Sequence, residues 1–449
     1  MAAKETVLMT EGSILKQILY FSIPLVLASL LQQLYSTVDS IIVGNFSGSA
    51  ALAAVGSSTM IIYLLIALSQ GASIGAGVMA AQYLGMKNRA KTQCAVHTSA
   101  AIALILGIIL TVGGVLFTRP LLVWMNTPPE ILDDAAAYLR IYSIGMIFCV
   151  IYNIAAGILN AAGRSKLPLY YLAAASAVNV ALDIILVAWL NIGVMGAAIA
   201  TDISQAVSCI LAVGFLLRVK ADYRLDWRSI VFDKKMARRI IGIGLPTGVQ
   251  NMMISVANVL VQSGVNGFGA AAVAGFGAYL RIDGFNILPV LSISMAITTF
   301  IGQNYGAKKF DRIKKGMYLS VALGIAYTLA IGAVMLVFSH QVMSLFTDDE
   351  SVIELGQLAM WYFCPFYWVL SIMNILAGAV RGTGCSMPPM VVLILSLCVF
   401  RFIWIQCALP QFTSIDGLFV LYPISWAVGT VLMLLYTWRG SWLRQQKDK

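Results

Sequence analysis

The sequence predicts an all-α integral membrane protein, with twelve transmembrane helices in two six-helix lobes related as parallel repeats. Three observations carry that prediction. Of 449 residues, 60% are hydrophobic and only 11% charged, whereas soluble domains are about half apolar and a quarter charged. Apolar runs of the roughly 20 residues needed to cross a hydrocarbon core recur along the whole length. The chain also echoes itself at an offset of 221 residues. Gln82-Tyr-Leu-Gly-Met-Lys87 answers Gln303-Asn-Tyr-Gly-Ala-Lys308, and Gly157, Gly163 and Pro168 answer Gly378, Gly384 and Pro389. Asn153 falls on Asn374 and Gly196 on Gly417.

The first half places spans at 16–42, 53–80, 93–117, 133–158, 167–189 and 193–217. The second half places them at 238–264, 275–301, 316–338, 355–380, 388–409 and 416–438. Six crossings return a chain to its starting side, so two such halves are parallel repeats about an axis along the membrane normal. The expected domains are a first lobe over 1–217, a linker over 218–237, and a second lobe over 238–449 that ends in a basic tail. Lys4, Glu5 and Glu11 precede an apolar segment too long for a signal peptide, so the first span is expected to stay in the protein.

Within the first span, Pro24 removes a backbone donor and clashes with the carbonyl of Tyr20. It is a candidate hinge that responds to events at Asp39, or equally a fixed kink. Pro246 answers it in the seventh span.

The net charge of +10 does not indicate nucleic acid, because its distribution is one-sided. All of the 29 Lys and Arg except Arg119, Arg140, Arg281 and Arg401 fall on one side of the twelve-span layout. The opposite loops carry Glu130, Asp133, Asp134, Asp348, Asp349 and Glu350. Such asymmetry puts the basic loops and both termini in the cytoplasm of a bacterial cytoplasmic membrane. The linker mixes Arg224, Trp227, Arg228, Lys234 and Lys235 with acids. It reads either as a segment lying on anionic headgroups or as a solvated tether.

Charged side chains inside spans cost about 2.5–3.5 kcal/mol each on insertion scales, so each asks for a role or a partner. Asp39, Asp183 and Asp202 lie in the first, fifth and sixth spans, Arg281 and Asp283 in the eighth, and Arg401 in the eleventh. Asn179 sits one turn before Asp183 on the same helix face, and Thr201 precedes Asp202. These oxygens suit a coupling proton or a hard cation such as sodium; a structural hydrogen-bond network is the competing reading.

Arg281, Asp283 and Arg401 read as cargo contacts or as charge-compensated packing, with Arg401 reaching Asp283 and leaving Arg281 to face a cavity. Gln33, Tyr35, Asn153 and Asn374 complete the candidate cavity, where amides and aromatics can receive flat or cationic ligands. Seven cysteines without C-x-x-C spacing and two distant histidines offer no metal or redox centre, and no nucleophile and base pair points to an enzyme.

The residues taken together resemble the multidrug and toxic compound extrusion (MATE) family over essentially the whole chain. The resemblance rests on Pro24 with Tyr35-Ser-Thr-Val-Asp39-Ser-Ile-Ile-Val-Gly44, on Gln303-Asn-Tyr-Gly-Ala-Lys-Lys309 and its echo, on Gly157 to Pro168, and on Asn179-Val-Ala-Leu-Asp183. It implies two lobes in a V that open alternately to either side, and antiport of cationic or amphipathic organic compounds against protons or sodium. It also implies a first-lobe cation site at Asp39, Asn179, Asp183 and Thr201. No cofactor and no macromolecular partner is expected beyond the lipid bilayer, and the protein is expected to act as a monomer on small organic substrates.

Two positions depart from the family pattern. One branch of the family has acids on its seventh and tenth helices, and here those spans contain none; Asp202 stands where the family has an apolar residue. An exporter of an endogenous anionic or lipid-linked molecule, using Arg281 and Arg401, is the alternative. A channel is disfavoured by the duplicated lobes.

Overall fold

The structure, a computed structural model, describes residues 6–412 and 414–443. Lys4 and the basic tail past residue 443 lie outside the described residues. Among the described residues eleven apolar helices are long enough to cross a membrane: α1 (Ile14–Gly85), α2 (Arg89–Trp124), α3 (Pro129–Ala161), α4 (Lys166–Trp189), α5 (Val194–Arg218), α6 (Lys234–Asn266), α7 (Ala270–Gly306), α8 (Phe310–Val337), α9 (Glu350–Gly382), α10 (Met387–Gln411) and α11 (Asp416–Trp438).

The twelfth crossing lies within α1. Its 72 residues would extend about 108 Å if straight, more than three hydrocarbon thicknesses. Gly48 breaks it, with φ 87° and ψ 177°, a conformation that only glycine adopts readily. Gly269 makes the same break between α6 and α7, at φ 93° and ψ 176°.

The repeat extends to the backbone. Helices α2 and α8 start at Arg89 and Phe310, α3 and α9 at Pro129 and Glu350, and α4 and α10 at Lys166 and Met387, each pair 221 residues apart. Positive φ recurs at Lys87 and Lys308 and at Gly163 and Gly384. Side-chain packing repeats as well. Ser73 Oγ donates to the Asn153 carbonyl at 2.5 Å, and Ser294 Oγ to the Asn374 carbonyl at 2.6 Å. A Cβ on Gly157 would fall 2.5 Å from the Ser73 carbonyl, and one on Gly378 2.5 Å from that of Ser294. Where lipid supplies no hydrophobic drive, such close backbone approach is what holds helices together.

The chain folds as two compact units. The first joins the residues up to Met9 with Ile23–Asn251, and the second joins Thr10–Ser22 with the chain from Met252 onward. In the first unit α3 packs on α2 and α5, and α4 on α5. Gly71 and Gly75 of α1 press against α6, so close that a Cβ on Gly75 would lie 2.3 Å from the Ile240 carbonyl and one on Gly71 2.5 Å from that of Gly244.

In the second unit α9 packs on α7, α8 and α11. It tightens into a 3-10 turn at Cys364–Phe366, where Pro365 interrupts the ladder; α3, its counterpart, runs unbroken. Asp349 caps α9, accepting from the Ser351 N–H at 2.9 Å and the Ser351 hydroxyl at 2.7 Å, which holds its carboxyl below the usual range. Lys309, from the repeated motif, donates to the Thr10 carbonyl at 2.9 Å.

Candidate functional site

Two helices of the first unit bring Asp39 and Asp183 together, and α5, which packs on α4, carries Thr201. Asp39 of α1 is 9% exposed, Asn179 and Asp183 of α4 are fully buried, and Thr201 of α5 is 3% exposed. The four-residue spacing of Asn179 and Asp183 turns both to one face. Directly after Asp183 the helix widens to π geometry over Ile184–Trp189. In α10 the helix widens likewise at Leu395–Val399 and again at Trp404–Ala408, the latter starting at the residue that answers Asp183. Such local widening is frequent at functional sites.

Asp39 and Asp183 lie close enough for each carboxyl to feel the other's charge. Yet Asp39 Oδ1, both oxygens of Asp183 and both amide atoms of Asn179 are buried without a hydrogen-bond partner. Two carboxylates in contact repel strongly, and a shared proton or a cation between them removes the repulsion. The donor set is all oxygen and carries two carboxylates, which fits a proton or a hard cation such as sodium. Among the described residues no group of three His, Cys, Asp or Glu is placed to hold a metal.

Helix α3 walls this site with residues that the sequence did not single out. Tyr138 and Tyr142 pack with ring centroids 6.2 Å apart, and Tyr138 lies within electrostatic reach of Asp39, Asp183 and Asp202. Gln205 Nε2 donates to the Tyr142 hydroxyl at 3.4 Å. Asp202 turns to this wall, its Oδ1 only 2.0 Å from where a Cβ on Gly145 would stand. Glycine at 145 makes room for that carboxylate. The signal for the wall was a buried face at 138, 142, 145 and 149, one residue per helical turn.

Tyr35 is half-buried near Asp39 and Gln33 is exposed. Asn153 is half-buried, and its amide donates to Ser69 Oγ at 3.0 Å and to the Cys149 carbonyl at 2.9 Å. Asn374 likewise donates to the Leu370 carbonyl at 3.0 Å. Pro24 lies inside α1, two residues past the point where that helix passes from the second unit to the first.

In the second unit the expected pairing of Arg401 with Asp283 is not formed. Asp283 instead accepts from the Tyr367 hydroxyl, and from that of Tyr279 at 3.3 Å, while the two phenols meet at 2.5 Å. Arg401 is 4% exposed and lies 4.3 Å above the Tyr422 ring, with Nε donating to Ser425 Oγ at 3.2 Å and Nη1 to Asn258 Oδ1 at 3.5 Å. Aromatic rings separate the two charges: Tyr422 packs on Phe363 at 4.6 Å, and Trp426 on Tyr367 at 5.3 Å. A ring face stabilises a guanidinium without a counter-charge, which is why the acid is not needed there. Arg281 is exposed on α7.

Comparison with known proteins bears on the family and the fold. The chain is 28% identical to the probable multidrug resistance protein YoeA of Bacillus subtilis, over 97% of this chain and 96% of that one. It is 25% identical to the probable multidrug resistance protein NorM of Thermotoga maritima, over 86% and 84%. A solved outward-facing structure of a multidrug resistance MATE transporter superposes with TM-score 0.90 at 24% identity over 99% of each chain, a likeness of fold. A transporter from Pyrococcus furiosus, described by the reverse polarity of its binding pocket, superposes with TM-score 0.89 at 25% identity over 98% of each chain. The MatE family model matches twice, over residues 24–185 and 246–405, once in each half and starting each time at a proline. Matched over most of its length, this multi-pass membrane protein belongs to the MatE family of transporters.

Proposed function

We propose that this protein is a secondary antiporter that exports cationic or amphipathic organic compounds in exchange for protons, with sodium as the alternative ion. One observation carries the reading: the buried and unpartnered oxygens of Asp39, Asn179 and Asp183. Unsatisfied acceptors in a buried site cost free energy until something binds. A proton or cation arriving there therefore changes the stability of whichever conformation holds it. Exchange needs cargo and ion to favour different conformations, since a ligand with equal affinity for both shifts nothing. Relatives named as multidrug resistance and multidrug export proteins support the cargo class.

In this reading Asp39 and Asp183 carry the proton, and Asn179 and Thr201 orient them. With sodium, the same four residues hold the ion. Asp202 enlarges the cation site, Gln33, Tyr35 and Asn153 border the path of the cargo, and Pro24 lets α1 bend as the site fills. The basic loops and both termini face the cytoplasm of a bacterial cytoplasmic membrane, and the monomer is the working unit.

Proteoliposomes with imposed proton or sodium gradients test this reading. Ethidium export driven by the proton gradient, and lost in Asp183→Asn, is expected; export indifferent to both gradients overturns it.

A second reading rests on Arg401, a buried cation whose contacts are all neutral. Its uncompensated charge favours anionic cargo, such as a lipid-linked molecule, in the second unit. The Pyrococcus furiosus transporter is itself described by a binding pocket of reverse polarity. Preference of the purified protein for anionic over cationic dyes, reversed in Arg401→Gln, would select this reading.

A further inference from the structure

The connection between α5 and α6 belongs to the first unit and is a built loop, not a solvated tether. Leu225 N–H donates to the Leu216 carbonyl at 2.9 Å, and Tyr223 is fully buried. Asp226 N–H donates to His97 Nε2 of α2 at 3.0 Å, and Thr98 Oγ1 to the Val231 carbonyl at 3.4 Å. The Asp226 carboxylate accepts from Arg228 N–H at 3.1 Å and from the Ser229 hydroxyl at 3.3 Å, closing a short turn. Asp233 then caps α6 by accepting from Met236 N–H at 2.6 Å.

A backbone so thoroughly pinned has every opportunity to bury its apolar side chains, and here it turns three of them outward. Trp227 is 69% exposed, Val231 64% and Phe232 46%. Exposed cations stand among them at Arg228, Lys234 and Lys235. Held out by a fixed loop, these side chains mark a surface that something covers. The loop joins the ends of two membrane-spanning helices, so it sits at the depth of the headgroups. Tryptophan favours that depth, and basic residues there attract anionic lipid.

We propose that the loop is a docking platform for anionic phospholipid, with Trp227, Val231 and Phe232 seated in the headgroup region and Arg228, Lys234 and Lys235 pairing with phosphates. The platform joins the lipid surface to α5, the helix that carries Thr201 and Asp202. It also fixes how α6 leaves the bilayer. The proposal concerns a face remote from the ion site and stands independently of the coupling ion and the cargo.

The test uses the full chain in nanodiscs of phosphatidylcholine or of phosphatidylglycerol. Trp227 emission is isolated as the difference between the protein and Trp227→Leu. Expected is quenching of that emission by lipids brominated near the headgroup. A blue shift on going from phosphatidylcholine to phosphatidylglycerol is also expected, and is lost in Arg228→Gln/Lys234→Gln/Lys235→Gln. All three substituted cations are exposed, so the variant folds, and its circular dichroism confirms that. Quenching of Trp227 by aqueous iodide instead of brominated lipid overturns the proposal. So does a blue shift that survives in the triple variant.

Discussion

The two units carry buried acids in opposite states. Asp39 and Asp183 in the first face each other with oxygens that have no partner. Asp283 in the second is bonded by two phenols, and Arg401 is held over a ring by neutral groups. A satisfied polar cluster resists change, because each lost bond costs about 1–3 kcal/mol. An unsatisfied one gains on binding a proton or a cation. The duplicated fold has thus kept its scaffold at equivalent positions, with Asn153 and Asn374 both receiving serine hydroxyls at their carbonyls, while the charges have diverged.

The comparison breaks first if the acids of the first unit prove dispensable. Asp39→Asn and Asp183→Asn are each expected to abolish gradient-driven export, while Asp283→Asn keeps it, measured as dye efflux from proteoliposomes. Next comes the packing that holds the first unit together. Gly75→Leu places side-chain atoms on the α6 backbone and is expected to remove folded protein from the membrane, seen as loss of a monodisperse peak after detergent extraction. Gly145→Val evicts the Asp202 carboxylate, and a weaker loss of export with retained expression is expected.

A smaller effect belongs to the second unit. Tyr367→Phe leaves Asp283 with the Tyr279 phenol alone and is expected to cost about 2 kcal/mol, read as a lower melting temperature with export preserved. The smallest effect sharpens the symmetry itself. Asn374→Ala removes one bond to a helix carbonyl and is expected to cost about 0.6 kcal/mol, with Asn153→Ala costing more because its amide also reaches Ser69.

The fold was legible because hydropathy and the 221-residue echo report on the same lipid-solvated helices. Their ends were not. Hydropathy marks the apolar stretch only, so α2 runs from Arg89 to Trp124 where 93–117 was expected. The break between the first two crossings depends on one glycine backbone angle, at Gly48, which leaves no mark on composition. Asp39, Asn179 and Asp183 were legible because a charge in a membrane stands out by itself. Tyr279 and Tyr367 were not, since neutral phenols 88 residues apart look like packing until they meet at one carboxylate. Expecting Arg401 on Asp283 paired charges by sign, and the ring of Tyr422 provided the alternative.

The central claim is that the exchangeable ion binds in the first unit. Cargo-induced proton release, followed with a pH dye while ethidium is added to purified protein in detergent, tests it most directly. Release is expected from the unmodified protein and from Asp283→Asn, and none from Asp183→Asn. Undiminished release from Asp183→Asn, or its loss in Asp283→Asn alone, would contradict the account.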